Sequence, residues 1–458
     1  MSISQQLSKF IVESKVPQEV KSTSKLYLLD WIGSCIAGTN SDPSKITSKI
    51  AQILGGHPKS TILSNGSKTS APLAAFSNAA ASHVVEMDDL DRTSISHPGA
   101  PIISTAFAVS EEINASFDEL LESIAIGYEV CIRTGESLGT SHYEKWHTTG
   151  TAGTMGAVAT ACRLYKLDIP QTVNALGSAG TMASGLWQFL EDGAMSKQLH
   201  PAKAAHDGIL AAKLSNESFT GAKKIYEGKK GLLNSMSKNP NFENMINNLD
   251  TLESLPESWK INNVSFKVHA SCRHTHAAVD AAIILSQKVN VSQIKKIDVQ
   301  IYSQALDLLD GMEPSSPWAA KFSLPFCVST GLIFAQCSME EFTNSTIANE
   351  QTLSLSKKVV VKTNSSLDKM YPQAWPSKVT ITTNNGEEIS EQVNYPSGDP
   401  ESNVTKIQIF QKFLSMANPL IEGNGQLIID KIFDEESTPD IIEMIELSIP
   451  SSAKQLSA

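Results

Sequence analysis

The sequence predicts a mainly α-helical protein with a smaller α+β part, and three observations carry that expectation. From Ser4 to about Ala212, apolar residues recur at helical spacing in segment after segment, with turn signals between them. After about Asn262, β-branched and alternating segments appear, and helical periodicity returns only from Val404. At 458 residues the chain exceeds what one hydrophobic core usually organises, so two domains are expected.

In chain order, Val20 to Ala37 is the clearest helix: Val20, Leu26, Leu29, Ile32 and Ile36 form a stripe, and Gly38 follows as a stop. Ala71 to Val85, Pro101 to Glu112, Phe117 to Leu138, Gly150 to Tyr165 and Ile169 to Leu186 read the same way. Small residues crowd Thr151 to Ala161 and Gly177 to Gly185. Glycine inside a helix costs about 1 kcal/mol relative to alanine, so these runs point to close helix approach. Strands are expected at Ile294 to Tyr302, Lys358 to Thr363, Lys378 to Thr383 and Glu388 to Val393. The last two meet through Asn384-Asn385-Gly386, a strong hairpin signal. Helices at Val404 to Met416, Leu420 to Phe433 and Ile441 to Leu447 are expected to pack back on the first domain.

Hydrophobic residues at 41% and charged residues at 19% are ordinary for a globular enzyme. Acidic residues outnumber basic ones by 48 to 37, a net charge of −11, which gives a nucleic acid no electrostatic help. Six cysteines without a C-x-x-C pair argue against structural zinc and iron–sulfur clusters. Met1 to Lys15 lacks the pattern of a secretory signal, and no stretch approaches the ~20 apolar residues of a membrane span, so neither membrane nor export is expected and the cytoplasm is the expected location.

Four segments gather chemistry-bearing residues beside glycine or proline. The first runs from His83 to Gly99 and holds Glu86, Asp88, Asp89, Asp91, Arg92 and His97. Paired aspartates invite a magnesium–diphosphate reading, but that motif needs a carboxylate one helical turn on, where Arg92 stands. The plainer reading of the acidic residues is helix capping and a surface loop, and for Asp91 the two readings weigh about equally. The second segment is Lys145-Trp-His-Thr-Thr-Gly-Thr-Ala-Gly-Thr154, where His147 and Thr148 stand at a helix start able to hold an anionic carboxylate. The third places Lys197, His200, Lys203 and His206 at spacings of three along one helix face. For Lys203 and His206 an ordinary amphipathic face is the better account. The fourth, Phe266 to His276, brings His269, His274, His276 and Arg273 close together, and His274 and His276 share a face only if the chain is extended there. No further cysteine or carboxylate stands at ligand spacing, so acid/base use is preferred over zinc.

At these segments the chain resembles the MmgE/PrpD family over nearly its whole length. The carrying motifs are D-D followed by H-P-G near position 90, W-H-x-T-G-T-A-G-T, F-L-E-D-G-A-M-x-K-x-L-H-P-x-x-A-A-H-D-G, C-R-x-T-H-x-x-x-D-A, and Lys321 to Cys327. The resemblance implies a large helical domain from both ends of the chain (1–264 plus 402–458), an inserted α+β lid (265–401) and a homodimer. It implies 2-methylcitrate dehydration, with iminodisuccinate epimerisation or cis-aconitate decarboxylation as alternatives, without metal or organic cofactor. Carried over by motif, His97, His147, Lys197 and His276 are the expected catalytic residues. Glu86, Asp89, Arg92, Thr148, His200, Arg273 and Lys321 are the expected substrate-binding residues. Leu90 and Phe326 depart from the family, standing where dehydratase-like and decarboxylase-like members tend to have threonine and tyrosine, so each place lacks a hydroxyl donor.

The activities share one step, a proton moved on carbon beside a carboxylate, which needs a base near neutrality and cations over the developing enediolate. The expected arrangement has His97 and His147 as the proton-transfer pair, with Lys197, Arg92 and Arg273 holding carboxylates and His276 reaching in from the lid. Two rival readings are a non-catalytic polycarboxylate-binding protein and a metal-dependent lyase built on Asp88 and Asp89. Paired histidines weigh mildly against the first, since Arg and Lys serve pure binding better.

Overall fold

The computed structural model describes residues 1–309, 314–434 and 439–456. It is mainly helical, with a small mixed sheet, and divides into two compact units: Met1–Val264 with Thr405–Ala458, and Ser265–Val404. No helix among the described residues is long and apolar enough to cross a membrane.

The first unit opens with helices α1 (Ile3–Glu13), α2 (Gln18–Gly38) and α3 (Asp42–Leu54), then a short ladder of β1 (Ser60–Thr61) and β2 (Lys68–Thr69). There follow α4 (Ala71–Val84), α5 (Gly99–Ile113), α6 (Phe117–Tyr143), α7 (Thr148–Leu164), α8 (Ile169–Met182), the five-residue α9 (Gln188–Asp192) and α10 (Ser196–Asn216). Capping boxes start several of them: Ser2 with Gln5, Ser116 with Glu119, and Asp168 with Gln171 each exchange side-chain and backbone hydrogen bonds.

Two departures from the sequence pattern matter. Helix α2 is not a one-sided stripe: every residue from Tyr27 to Ile36 is buried, while Leu26 is only half-buried. It runs through the middle of the unit against α4, α5 and α6, so periodicity read from one face understates it. Helix α8 stops at Met182, short of Leu186, because the next residues turn into an isolated bridge of Leu186 with Trp146, with Gly185 at φ 146°. That conformation is open to glycine.

The small-residue runs pack helices closely. A Cβ on Gly156 of α7 would sit 2.7 Å from the Cβ of Cys131 and 2.8 Å from the carbonyl oxygen of Gly127, both on α6.

In the second unit, α11 (His276–Ser286) and α12 (Leu324–Phe334) pack together, and α11 also lies on the sheet. The sheet comprises β3 (Ile294–Ile301), β4 (Val359–Thr363), β5 (Ser377–Thr383) and β6 (Glu388–Val393), in the order β4-β3-β5-β6. The β3–β4 pair is parallel and the rest antiparallel. The β5–β6 hairpin turns where Asn-Gly stands, with Gly386 at φ 88°. Alternate residues of β5, from Ser377 to Thr383, are buried, which fixes its register.

The chain then returns to the first unit with α13 (Lys406–Ala417), α14 (Gly425–Phe433) and α15 (Ile441–Ser448). Helix α13 packs on α2, and Lys412 donates both to Asp30 Oδ1 of α2 and, at 2.6 Å, to the carbonyl of Met87. Because the α6–α7 contact has no room for a methyl group, Gly156→Ala should destabilise the protein by about 1–3 kcal/mol, measured by urea unfolding.

Candidate active site

The site is built around the loop from Val85 to Pro98 that joins α4 to α5. His83, in the last turn of α4, is fully buried, and its Nδ1 lies 2.6 Å from Asp88 Oδ2. Three residues on, Glu86 takes a left-handed φ of 60°, uncommon for a non-glycine residue and a form of strain that recurs at functional sites. Its carboxylate pairs with Lys197 of α10, with both side chains buried.

Asp89 organises the end of the loop. Its Oδ1 accepts from the Gly99 N–H at 2.9 Å, capping α5 from ten residues upstream, and its Oδ2 accepts from the Tyr128 hydroxyl at 2.7 Å. Its carbonyl lies 2.7 Å from Nδ1 of His97. Burial pushes the Asp89 carboxyl well above its ordinary range, and the Asp88 and Asp30 charges add to this against the opposing hydrogen bonds. With both oxygens engaged, Asp89 holds His97 and the start of α5 in place, where the motif suggested substrate binding. Asp91 closes the following turn through Ser94 and Thr93. Arg92 is buried in that turn.

His147 occupies the N-cap position of α7, with Thr148 buried as the first helical residue. Its N–H donates to Gly185 O, and the glycine lets the bridging segment pass close over the ring of His200. His147 and His200 face each other through their Nδ1 atoms at 3.0 Å. Trp187 and Phe189 pack on these rings, at 4.7 Å from His147 and 5.4 Å from His200 respectively. His83 lies 5.0 Å from the His97 ring and 5.7 Å from that of His147.

Thus His83, His97, His147 and His200 form one imidazole cluster beside the Lys197–Glu86 pair. The electrostatics of the His147–His200 pair favour neutral rings. Burial holds His147 well below the usual histidine range, and the neighbouring His200, His83, Lys197 and His97 push the same way. Burial, then His83 and Lys197, brings His200 to about 4. Two imidazoles meeting Nδ1 to Nδ1 share one proton between them: one donates and the other accepts. The donor then presents a bare, basic Nε2 and the acceptor an Nε2–H, so the pair offers a base and an acid at the same time.

His83, Asp88 and His97 offer ligand atoms within 4.8 Å of one another, close enough to suggest a cation. The spacing fits hydrogen bonding better. Ligands around one tetrahedral zinc at about 2.0–2.1 Å stand roughly 3.3 Å apart, and the His83–Asp88 contact is too short for both atoms to be ligands.

Further along α10, Lys203 and His206, for which an ordinary amphipathic face is the better account, meet Asp207: Lys203 pairs with it and donates to the Met182 carbonyl, while His206 Nδ1 lies 3.0 Å from it. In the second unit, the condition for His274 and His276 to share a face, an extended chain, is not met: Arg273–Thr275 is a short 3-10 turn ahead of α11. His274 and His276 therefore part company. His274 stacks on Trp375 at 4.3 Å and bonds to Tyr302. His276 is fully buried: Nδ1 accepts from Arg273 at 2.8 Å and Nε2 donates to Ser271 O at 3.2 Å. Burial and the Arg273 charge hold it well below the ordinary range. Neither nitrogen is open to take part in proton transfer as placed, which departs from its expected catalytic use. Arg273 is itself paired with Asp399, and Lys321 lies 5.1 Å over the Phe342 ring. His269 is supported by a carboxylate: Asp280 sits 2.8 Å from its Nε2 and raises its pKa against burial.

Sequence reasoning left out His83, Trp187, Phe189 and Tyr128. His83 carried a signal, standing five residues before Asp88 at a helix end, but a lone histidine closing a helix reads as core. The aromatic residues carried none.

The helical unit thus encloses facing imidazoles, a buried lysine–glutamate pair and ordered aspartates, side chains whose chemistry permits proton exchange. Family models match both parts of the chain: the MmgE/PrpD N-terminal domain matches residues 5–245 and the MmgE/PrpD C-terminal domain residues 269–435. The chain belongs to the MmgE/PrpD family. It is 23% identical to the cis-aconitate decarboxylase-like protein oryM of Aspergillus oryzae over 476 residues, covering 97% of each chain. It is 24% identical to a cis-aconitate decarboxylase of Aspergillus terreus over 455 residues, covering 94% of this chain and 92% of that one.

Burial likewise holds His142 at about 4, despite the Met236 carbonyl that favours its charged form. Since His142 and His200 stay neutral in the fold while an unfolded histidine takes its proton near 6.5, the unfolded state binds more protons between those values. Thermal stability should therefore fall as pH drops from about 6.5 to 4, and His200→Asn should remove part of that fall, read as melting temperature against pH.

Proposed function

We propose that this protein is a lyase that moves protons on a carbon beside a carboxylate of a small polycarboxylate, using histidines of the first unit. The observation that carries the reading is the imidazole cluster: two rings sharing one proton supply a neutral base and a neutral acid in a dry site. In this reading His97, its Nδ1 directed to the Asp89 carbonyl, turns Nε2 toward the substrate as base or acid, and His147 with His200 serves the opposite proton. Lys197, with Glu86 beside it, holds a substrate carboxylate and steadies the developing negative charge. Arg92 and Thr148 supply further donors. No cation is required by any of these steps.

The names of the curated relatives make cis-aconitate the first substrate to test, with decarboxylation as the reaction. Dehydration of 2-methylcitrate uses the same groups, the acid protonating a departing hydroxyl. Buried Leu90 and Phe326, which offer no hydroxyl, favour a second reading: epimerisation of iminodisuccinate, where a proton leaves one face and returns to the other. A homodimer belongs to this proposal, to be checked by light scattering.

An NMR product screen with cis-aconitate, 2-methylcitrate, citrate and iminodisuccinate separates these reactions. Solvent deuterium entering the α-carbon of unconsumed substrate would mark epimerisation, and saturable binding with no product from any of the four would sink the catalytic reading. His147→Gln and His97→Gln should each lower kcat by about 10²-fold or more with folding intact. Dialysis against a chelator should leave the rate unchanged; loss restored by a divalent cation would revive the metal-dependent alternative.

A further inference from the structure

His83 is the one ring of the cluster that the proposed chemistry does not use, and its surroundings are unusual. It is fully buried, Nδ1 is fixed on Asp88, and Nε2 is enclosed without a hydrogen-bond partner among the described residues. A buried acceptor left bare is costly, and an apolar side chain would fill the space without that cost. The position is therefore explained by what Nδ1 does. Asp88 Oδ2, which accepts from His83 at 2.6 Å, also lies 3.4 Å from Nδ1 of His97. One carboxylate oxygen thus serves two imidazoles.

We propose that His83 is a positioning residue: by donating to Asp88, it divides that carboxylate between itself and His97 and so sets how readily His97 takes a proton. The inference deepens the proton-transfer reading above and rests on it. A negative charge within about 4–6 Å favours imidazolium, and a carboxylate already accepting a strong hydrogen bond exerts a weaker pull on its second neighbour. The groups facing His97 are consistent with Asp88 as its controlling charge. From its own loop come Asp88 and the Asp89 carbonyl, the Asp89 carboxylate being turned to Gly99 and Tyr128. From α4 comes His83, and from the start of α7 come His147, 6.4 Å away, and the Thr149 hydroxyl, which accepts from the His97 N–H. From α10 comes Lys197, whose charge acts on His147 and which is paired with Glu86.

The arrangement requires two substitutions to act in opposite directions. Asp88→Asn removes the charge and should lower the protonation midpoint of His97 by about one pH unit. His83→Leu returns the whole carboxylate to His97 and should raise the midpoint. His83→Asn, whose amide can take the place of Nδ1–H, should leave it near that of the unsubstituted protein. The midpoint is read by NMR titration of the full chain carrying 13C-labelled histidine, the His97 signal being the one lost in His97→Gln, with circular dichroism to establish folding. Should His83→Leu not fold, His83→Phe keeps the ring's bulk and carries the same expectation. Shifts in one common direction, or a midpoint unmoved by both substitutions, would overturn the proposal, since a space-filling role moves stability and leaves the titration alone. In an active enzyme the acidic limb of kcat/KM should follow the same opposite shifts. Full turnover by His97→Gln would refute the functional reading alone, because the titration does not depend on any substrate.

Discussion

Four imidazoles packed against one another in a protein interior cannot all hold protons, and much of the first unit is arranged around that constraint. Burial and mutual repulsion keep His147 and His200 neutral, and their facing nitrogens oblige them to adopt complementary tautomers. Asp88 contacts His83 and His97 directly, and Glu86 is matched to Lys197. Charge is thus admitted in pairs. The result is a pair of rings, His147 and His200, that is uncharged at neutral pH and avoids the cost of a buried cation.

The scaffold makes this possible by supporting the site from behind. Tyr128 of the long α6 helix holds Asp89, Asp89 caps α5 and seats His97, and the close approach of α6 to α7 sets where His147 begins its helix. Gly99 and Gly185 allow backbone to pass where a side chain would strike Asp89 or His200. The glycine-rich texture therefore belongs to the same design as the histidines: thin packing around a thick cluster of rings.

Much of this was legible in the residues. Helical spacing located the main elements of the first unit, and the Asn-Gly signal located the β5–β6 hairpin. Motif segments pointed to His97, His147, Lys197, Glu86 and His200, which come together in the first unit. What escaped depends on contacts between distant positions. The role of Asp89 is written in Tyr128, thirty-nine residues away, and that of His83 in an oxygen it shares with His97. A spacing of two between His274 and His276 means a common face only in a strand, and the 3-10 turn at Arg273 sends them to different partners. The stripe on α2 was likewise a partial view of a helix buried on every side from Tyr27 to Ile36.

Lys412 gives the architecture a temporal side. Its ammonium grips the Met87 carbonyl, in the middle of the histidine-bearing loop, from a helix made 325 residues later. During synthesis on the ribosome, that loop stays without this anchor until the 325 residues leading from Met87 to Lys412 have followed. A growing chain therefore carries the imidazoles of that loop long before this hold on it exists, and a helix translated much later completes the loop's anchorage.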